Sequence, residues 1–138
     1  MISEALKQAY LTTSYEVSSP QGTITLRIGV PNPILDQLLH ACGCDRWAFI
    51  TASNPASKPL PAVENEQRHW ELCERVAKLG YQTLEGVGKG ADEQWPPEKS
   101  LLVMGIERET ASELGKHFGQ YGIVVGHINQ APELLLLE

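Results

Sequence analysis

Long apolar runs and positive charge are both scarce in this sequence. No apolar stretch in its 138 residues approaches the ~20 needed to cross a bilayer. Eleven Lys and Arg stand against seventeen Asp and Glu, a formal net charge of −6. That balance argues against nucleic acid or an anionic membrane as partner. Cysteines number three, an odd count that does not suit a disulfide framework. The stretch from Met1 to Tyr15 carries Glu4 and Lys7 and no apolar core segment, so it does not read as a signal peptide. A cytoplasmic protein is expected. What is present is ordinary globular material, 42% apolar and 20% charged, of a length that suits one domain over residues 1–138.

The hydrophobic pattern predicts an α+β domain. Thr23 to Val30 alternates, with Ile24, Leu26, Ile28 and Val30 on one face, as a strand with one buried side does. Pro33 to Cys42 reads as a short helix capped by Asn32 and ended by Gly43. Trp47 to Ala52 and Ser100 to Gly105 are continuous apolar runs, expected as central strands. Ala62 to Leu79 is the strongest helix, with Gly80 as its stop and Leu72, Val76 and Leu79 as its apolar stripe. That stripe leaves Trp70 outside. Tyr81 to Val87, Tyr121 to Gly126 and Pro132 to Leu137 complete the strands. Thr110 and Glu113 have capping-box spacing for a last helix reaching Phe118. The order is β-α-β-α-β-β-α-β-β, with a short additional helix at Glu4 to Tyr10. It predicts a mixed sheet of five or six strands carrying three main helices.

Two polar groupings invite a chemical reading. Thr51, Asn54, Glu64, Asn65 and Arg68 lie where a strand feeds the start of the long helix. Free N–H groups, the helix dipole and a forked guanidinium suit a carboxylate or phosphate there. The structural alternative has Asn54 capping a turn, Asn65 bonding loop backbone and Arg68 paired with a carboxylate. Trp95, Glu98 and Ser100 form the second grouping. A carboxylate against apolar surface serves as a general acid or base, but a Glu98–Arg68 salt bridge is the favoured expectation.

Other features read as structure. His40, Cys42 and Cys44 are closely spaced, yet no second ligand pair follows. Cys73, His69, His117 and His127 are scattered along the chain, Cys73 reads as a small core residue, and no metal site or cofactor is expected. The run from Gly86 to Gly90 (GVGKG) lacks phosphate-loop spacing and reads as a flexible turn. Leu134 to Leu137 reads as a strand covered on both faces.

The motifs ITAxNP (Ile50 to Pro55), ENxxR (Glu64, Asn65, Arg68), WxxExS (Trp95, Glu98, Ser100) and FGQ (Phe118, Gly119, Gln120) occur in this order. Together they resemble a small bacterial domain family of unknown function. Tyr10, Thr13 and Tyr15 resemble its N-terminal Y-T-Y pattern. Ser53 and Tyr121 depart from it, at positions where a Trp and a smaller residue are expected. The resemblance implies a stand-alone bacterial protein and carries over no activity. It adds Gln120 to a polar set of Thr51, Asn54, Asn65, Arg68, Glu98 and Ser100 that is expected to converge.

Three functions compete. The first is a binding module for a small polar or anionic metabolite at the N-terminus of the long helix. The second is a non-catalytic interaction protein, with a structural polar cluster and an apolar surface at Trp70 or a sheet edge. The third is a small enzyme using Glu98 as acid or base and Arg68 as electrostatic stabiliser.

Overall fold

The computed structural model describes residues 2–92 and 95–137. The elements run α1 (Glu4–Thr12), β1 (Ser14–Ser19), β2 (Gly22–Leu26), α2 (Pro33–Ala41), β3 (Arg46–Thr51), a 3-10 turn (Pro55–Ser57) and α3 (Ala62–Leu79). They continue as β4 (Gln82–Lys89), β5 (Glu98–Met104), α4 (Arg108–His117), β6 (Gly122–His127) and β7 (Glu133–Leu136). From β2 onward this is the expected order. No helix among the described residues is long and apolar enough to cross a membrane.

One seven-stranded sheet, ordered β2-β1-β4-β5-β3-β6-β7, organises the domain. Every pairing is antiparallel, so the expectation of a mixed sheet is corrected. The strand count rises to seven because β1 was not expected. It offers only Tyr15 and Val17 as inward residues among polar neighbours, and is held between β2 and β4.

Alternation along the strands divides the core in two. Ala48, Ile50, Leu101 and Val103 face α3 and α4, joined there by Leu72, Val76, Leu114 and Phe118. Trp47, Phe49, Leu102 and Met104 face the other way, where Leu35 and Leu39 of α2 cover them. The α2 helix starts as its sequence dictates, with the Asn32 side chain accepting from the Leu35 amide at 3.0 Å.

Several local expectations fail: the strand expected to reach Val30 ends at Leu26, and Val30 is 53% exposed. Leu79 is 53% exposed. The buried stripe of α3 is His69, Leu72 and Val76, and it stops where Gly80, at φ 86°, turns the chain towards β4. Thr110 is not the cap of α4, which begins a turn's length earlier behind Glu107 and has no side-chain cap. Leu134 to Leu137 does not lie in a strand covered on both faces. Leu134 to Leu136 belong to β7, an edge strand paired to β6 alone, whose Leu136 is half-exposed, and Leu137 is buried just beyond it. The glycine run is not a turn, because Gly86 to Lys89 belong to β4.

Gly86 explains that last result. A Cβ on it would lie 2.6 Å from the Phe49 ring and 2.9 Å from the Glu16 carbonyl oxygen. The missing side chain lets Phe49 lie flat against the strand. Gly86→Ala is therefore expected to lower the unfolding free energy by about 1–3 kcal/mol, the usual cost of overpacking. Urea unfolding of the two proteins measures it, and an unchanged midpoint would contradict this packing.

Candidate functional site

At the end of β3 the chain leaves the sheet and several backbone groups lose their ladder partners. Polar side chains replace them. Thr51 Oγ1 donates to the Lys99 carbonyl at 2.8 Å and accepts from the Ser53 amide at 3.1 Å. Ser100 Oγ donates to the Glu98 carbonyl at 3.1 Å.

Asn54 is the hub of the loop. It is buried and left-handed, at φ 48° and ψ 63°. Its amide donates to Asn65 Oδ1 at 3.0 Å. Its Oδ1 accepts from Asn65 Nδ2 at 2.8 Å and from the Leu60 amide at 2.9 Å. Its Nδ2 donates to Glu98 Oε2 at 2.7 Å. Ala56 and Ser57 are left-handed as well, at φ 56° and 57°. Such conformations cost non-glycine residues roughly 1 kcal/mol or more each, and they persist only where surrounding contacts over-determine them.

Arg68 supplies much of that constraint. Its Nε donates to the Ala52 carbonyl at 2.6 Å, and one terminal nitrogen donates to the Phe118 carbonyl at 2.5 Å. The guanidinium also lies over the Phe118 ring, 5.8 Å from its centroid. Gly119 brings the end of α4 against the loop. Its φ is +72°, and a Cβ there would approach Pro55 to 2.9 Å. Ala56 N donates to the Gly119 carbonyl at 2.8 Å, and Gln120 Nε2 donates to the Ser53 carbonyl at 2.9 Å. Residues 50–123, more than half of the chain, match a family described as "Protein of unknown function (DUF3293)".

The chain belongs to this family. The comparisons with curated proteins and with solved structures returned no match.

In this DUF3293 protein the network forms one wall of a cavity of about 490 Å³. That volume is in the range of small-molecule sites. Thr51, Asn54, Glu98, Ser100 and Gln120 line it. Asn65 and Arg68 do not; they stand behind the wall and hold it. The expected Glu98–Arg68 bridge is thus corrected. Arg68 is taken up by two carbonyls, of Ala52 and Phe118, and neither Glu64 nor Glu98 is its partner. No α3 residue lines the cavity, so the helix N-terminus does not face it.

Sequence reasoning about chemistry missed the other walls. Tyr10 and Tyr15 enter from the N-terminal segment and Phe49 from β3, beside Trp95, which the sequence had already grouped with Glu98. Tyr15 donates its hydroxyl to the Tyr10 carbonyl at 2.7 Å, and Thr13 Oγ1 donates to the Ala9 carbonyl at 2.6 Å. The Y-T-Y resemblance was the one signal for them. Burial pushes the Tyr10 phenol up to about 12 and raises Tyr15 further. Both stay protonated at neutral pH. Burial also raises the Glu98 carboxyl above the ordinary range, against hydrogen bonds from Asn54 and Trp95 that favour its ionised form. Among the described lining residues two are acidic, Asp92 and Glu98, and none is Lys, Arg or His.

A second cluster escaped the sequence entirely. His69 Nε2 lies 2.9 Å from Glu85 Oε1, and Cys73 Sγ lies 3.6 Å from the same nitrogen. His69 and Cys73 are four residues apart on one face of α3 (a spacing visible in the sequence), whereas Glu85 arrives from β4. Cys73 is half-buried, packed against the core beneath α3 and meeting His69 and Glu85 at its rim.

Two outcomes are expected. Arg68→Ala removes the donor of the Ala52 carbonyl and leaves the Phe118 carbonyl only the longer contact from Gln120 Nε2, so it should cost about 2–4 kcal/mol in urea unfolding, with Arg68→Lys recovering part of it. A loss below ~1 kcal/mol would remove the guanidinium as the clamp. The Glu98 carboxyl, raised in the folded chain, adds stability that is fully present below the ordinary carboxylate pKa and is lost as pH rises through the folded value. Glu98→Gln cannot ionise. The stability difference between variant and wild type should therefore move in favour of Gln between about pH 4 and pH 7. A constant difference across that window would contradict the burial effect.

Proposed function

We propose that this protein is a binding module for a small molecule with an apolar or aromatic body and a hydrogen-bond-donating head, neutral or cationic. The carrying observation is Glu98: a half-buried carboxyl, ordered by Asn54 and Trp95, aimed into a cavity with aromatic walls and no basic group among the described lining residues. This reading keeps the polar metabolite of the sequence argument but moves it from the helix N-terminus to the cavity. Negative charge on the ligand loses its rationale, since Arg68 faces backbone and the described lining residues include no Lys, Arg or His to pair with an anion. A cation entering the cavity would instead favour the ionised form of Glu98, any proton on it leaving to solvent, and pair with the carboxylate. Strain in the Asn54–Ser57 loop fits the same reading, because strained backbone gathers where a site must be pre-shaped.

A second reading has one observation in its favour. A carboxyl of raised pKa in an apolar site is the usual equipment of a general acid. The enzyme reading therefore keeps Glu98 and loses Arg68, which holds the wall from behind.

Saturation-transfer NMR with benzylamine and tyramine, set against benzoate and 4-hydroxybenzoate, tests the binding proposal. The amines are expected to bind, with transfer to their rings, and the carboxylates are not. Glu98→Gln should weaken the amines by about tenfold or more, the loss of one charge-assisted contact. Benzoate binding as well as benzylamine, or amine binding unchanged in Glu98→Gln, would overturn it.

A further inference from the structure

On the opposite face of the sheet from the cavity, His69, Cys73 and Glu85 bring together three different metal-ligating groups. Glu98 and Ser100 of β5 face the cavity, so Lys99 and Leu101 face α3. Glu85 pairs in register with Leu101 and shares that second face. The ligand atoms converge. His69 Nε2 to Glu85 Oε1 is 2.9 Å, Cys73 Sγ to His69 Nε2 is 3.6 Å, and Cys73 Sγ to Glu85 Oε2 is 3.9 Å. Ligands bound to zinc at ~2.0–2.3 Å with tetrahedral angles stand about 3.3–3.8 Å from one another. The three side chains need to shift by only a few tenths of an ångström on average to share one ion.

We propose that His69, Cys73 and Glu85 form a binding site for a divalent transition metal of the zinc class, with the remaining coordination position open to solvent. A nitrogen, a sulfur and a carboxylate oxygen are the donor types that suit such an ion. The imidazole is pre-positioned. Its side chain is only 8% exposed, so packing fixes the ring with Nε2 aimed at Glu85. Its Nδ1 is buried without a hydrogen-bond partner among the described residues. The Glu85 side chain is 62% exposed, which gives the ion a route in and leaves a solvent-facing position. Lys99 is the neighbouring cation, and its ammonium is engaged by Glu66 at 2.5 Å. On binding, the Cys73 thiol releases its proton to solvent as the sulfur–metal bond forms. Glu85 binds as carboxylate, and His69 binds through the Nε2 lone pair with its proton on Nδ1. The two negative ligands balance the ion's charge.

Cobalt(II) titration of the full chain is the test, because thiolate ligation adds a near-ultraviolet charge-transfer band to the visible bands of tetrahedral cobalt. One equivalent is expected to give both, and zinc to abolish them by displacement. Cys73→Ser should lose the charge-transfer band. Glu85→Gln changes an exposed side chain and leaves the packing alone; it should weaken cobalt binding by about tenfold or more. The double variant Cys42→Ser, Cys44→Ser should keep the band. Absence of the band in wild type, its survival in Cys73→Ser, its loss in the double variant, or unchanged affinity in Glu85→Gln would each overturn the proposal.

Discussion

Two backbone carbonyls, at Ala52 and Phe118, end up where neither strand nor helix can satisfy them, and one guanidinium serves both. This contact ties the end of β3 to the end of α4 through α3. A lysine offers a point charge where the geometry asks for a fork. Everything near the cavity is referenced to that tie. Gly119 can then lie against Pro55, Asn54 can hold its left-handed backbone, and its side-chain amide can reach Glu98. The polar cluster is therefore a staple and a wall at once. Its rear residues, Asn65 and Arg68, satisfy backbone and loop, while its front residues face open space.

Glu98 gains its character from this arrangement. Strand alternation on β5 directs it away from α3, and hence away from Arg68. An arginine partner would have held the carboxyl ionised; an amide and an indole order it while burial opposes its charge. The acidic composition of the chain recurs inside the cavity as Asp92 and Glu98 without a basic counterpart among the described lining residues.

Much of the fold could be read from residues whose signals are local. Asn32 caps α2 and Gly80 ends α3 through their own short-range chemistry, and both ends fall where expected. Features decided by distant neighbours were not legible. Gly86 looks like a turn residue until the Phe49 ring is placed against it. Leu134 to Leu137 looks doubly covered until β7 is found at the sheet edge. β1 hides because four of its six residues are serine or glutamate, and its inward Tyr15 and Val17 make too short an alternation to stand out. For the site, residue type was informative and role was not. Asn54, Glu98 and Gln120 were legible as polar residues at element ends, but only tertiary structure separates Arg68, which binds backbone, from Glu98, which faces the cavity. His69 and Cys73 waited for Glu85 in the same way.

The cavity's two sides have separate origins along the chain. The anchoring wall lies within residues 50–123, the stretch that defines the family, whereas Tyr10 and Tyr15 come from outside it. The tyrosines are joined to each other through a backbone carbonyl, and none of the Arg68 or Asn54 hydrogen bonds passes through them. Shape and anchorage are thus drawn from different stretches of the chain, and the pairing of β1 with β4 brings the two together.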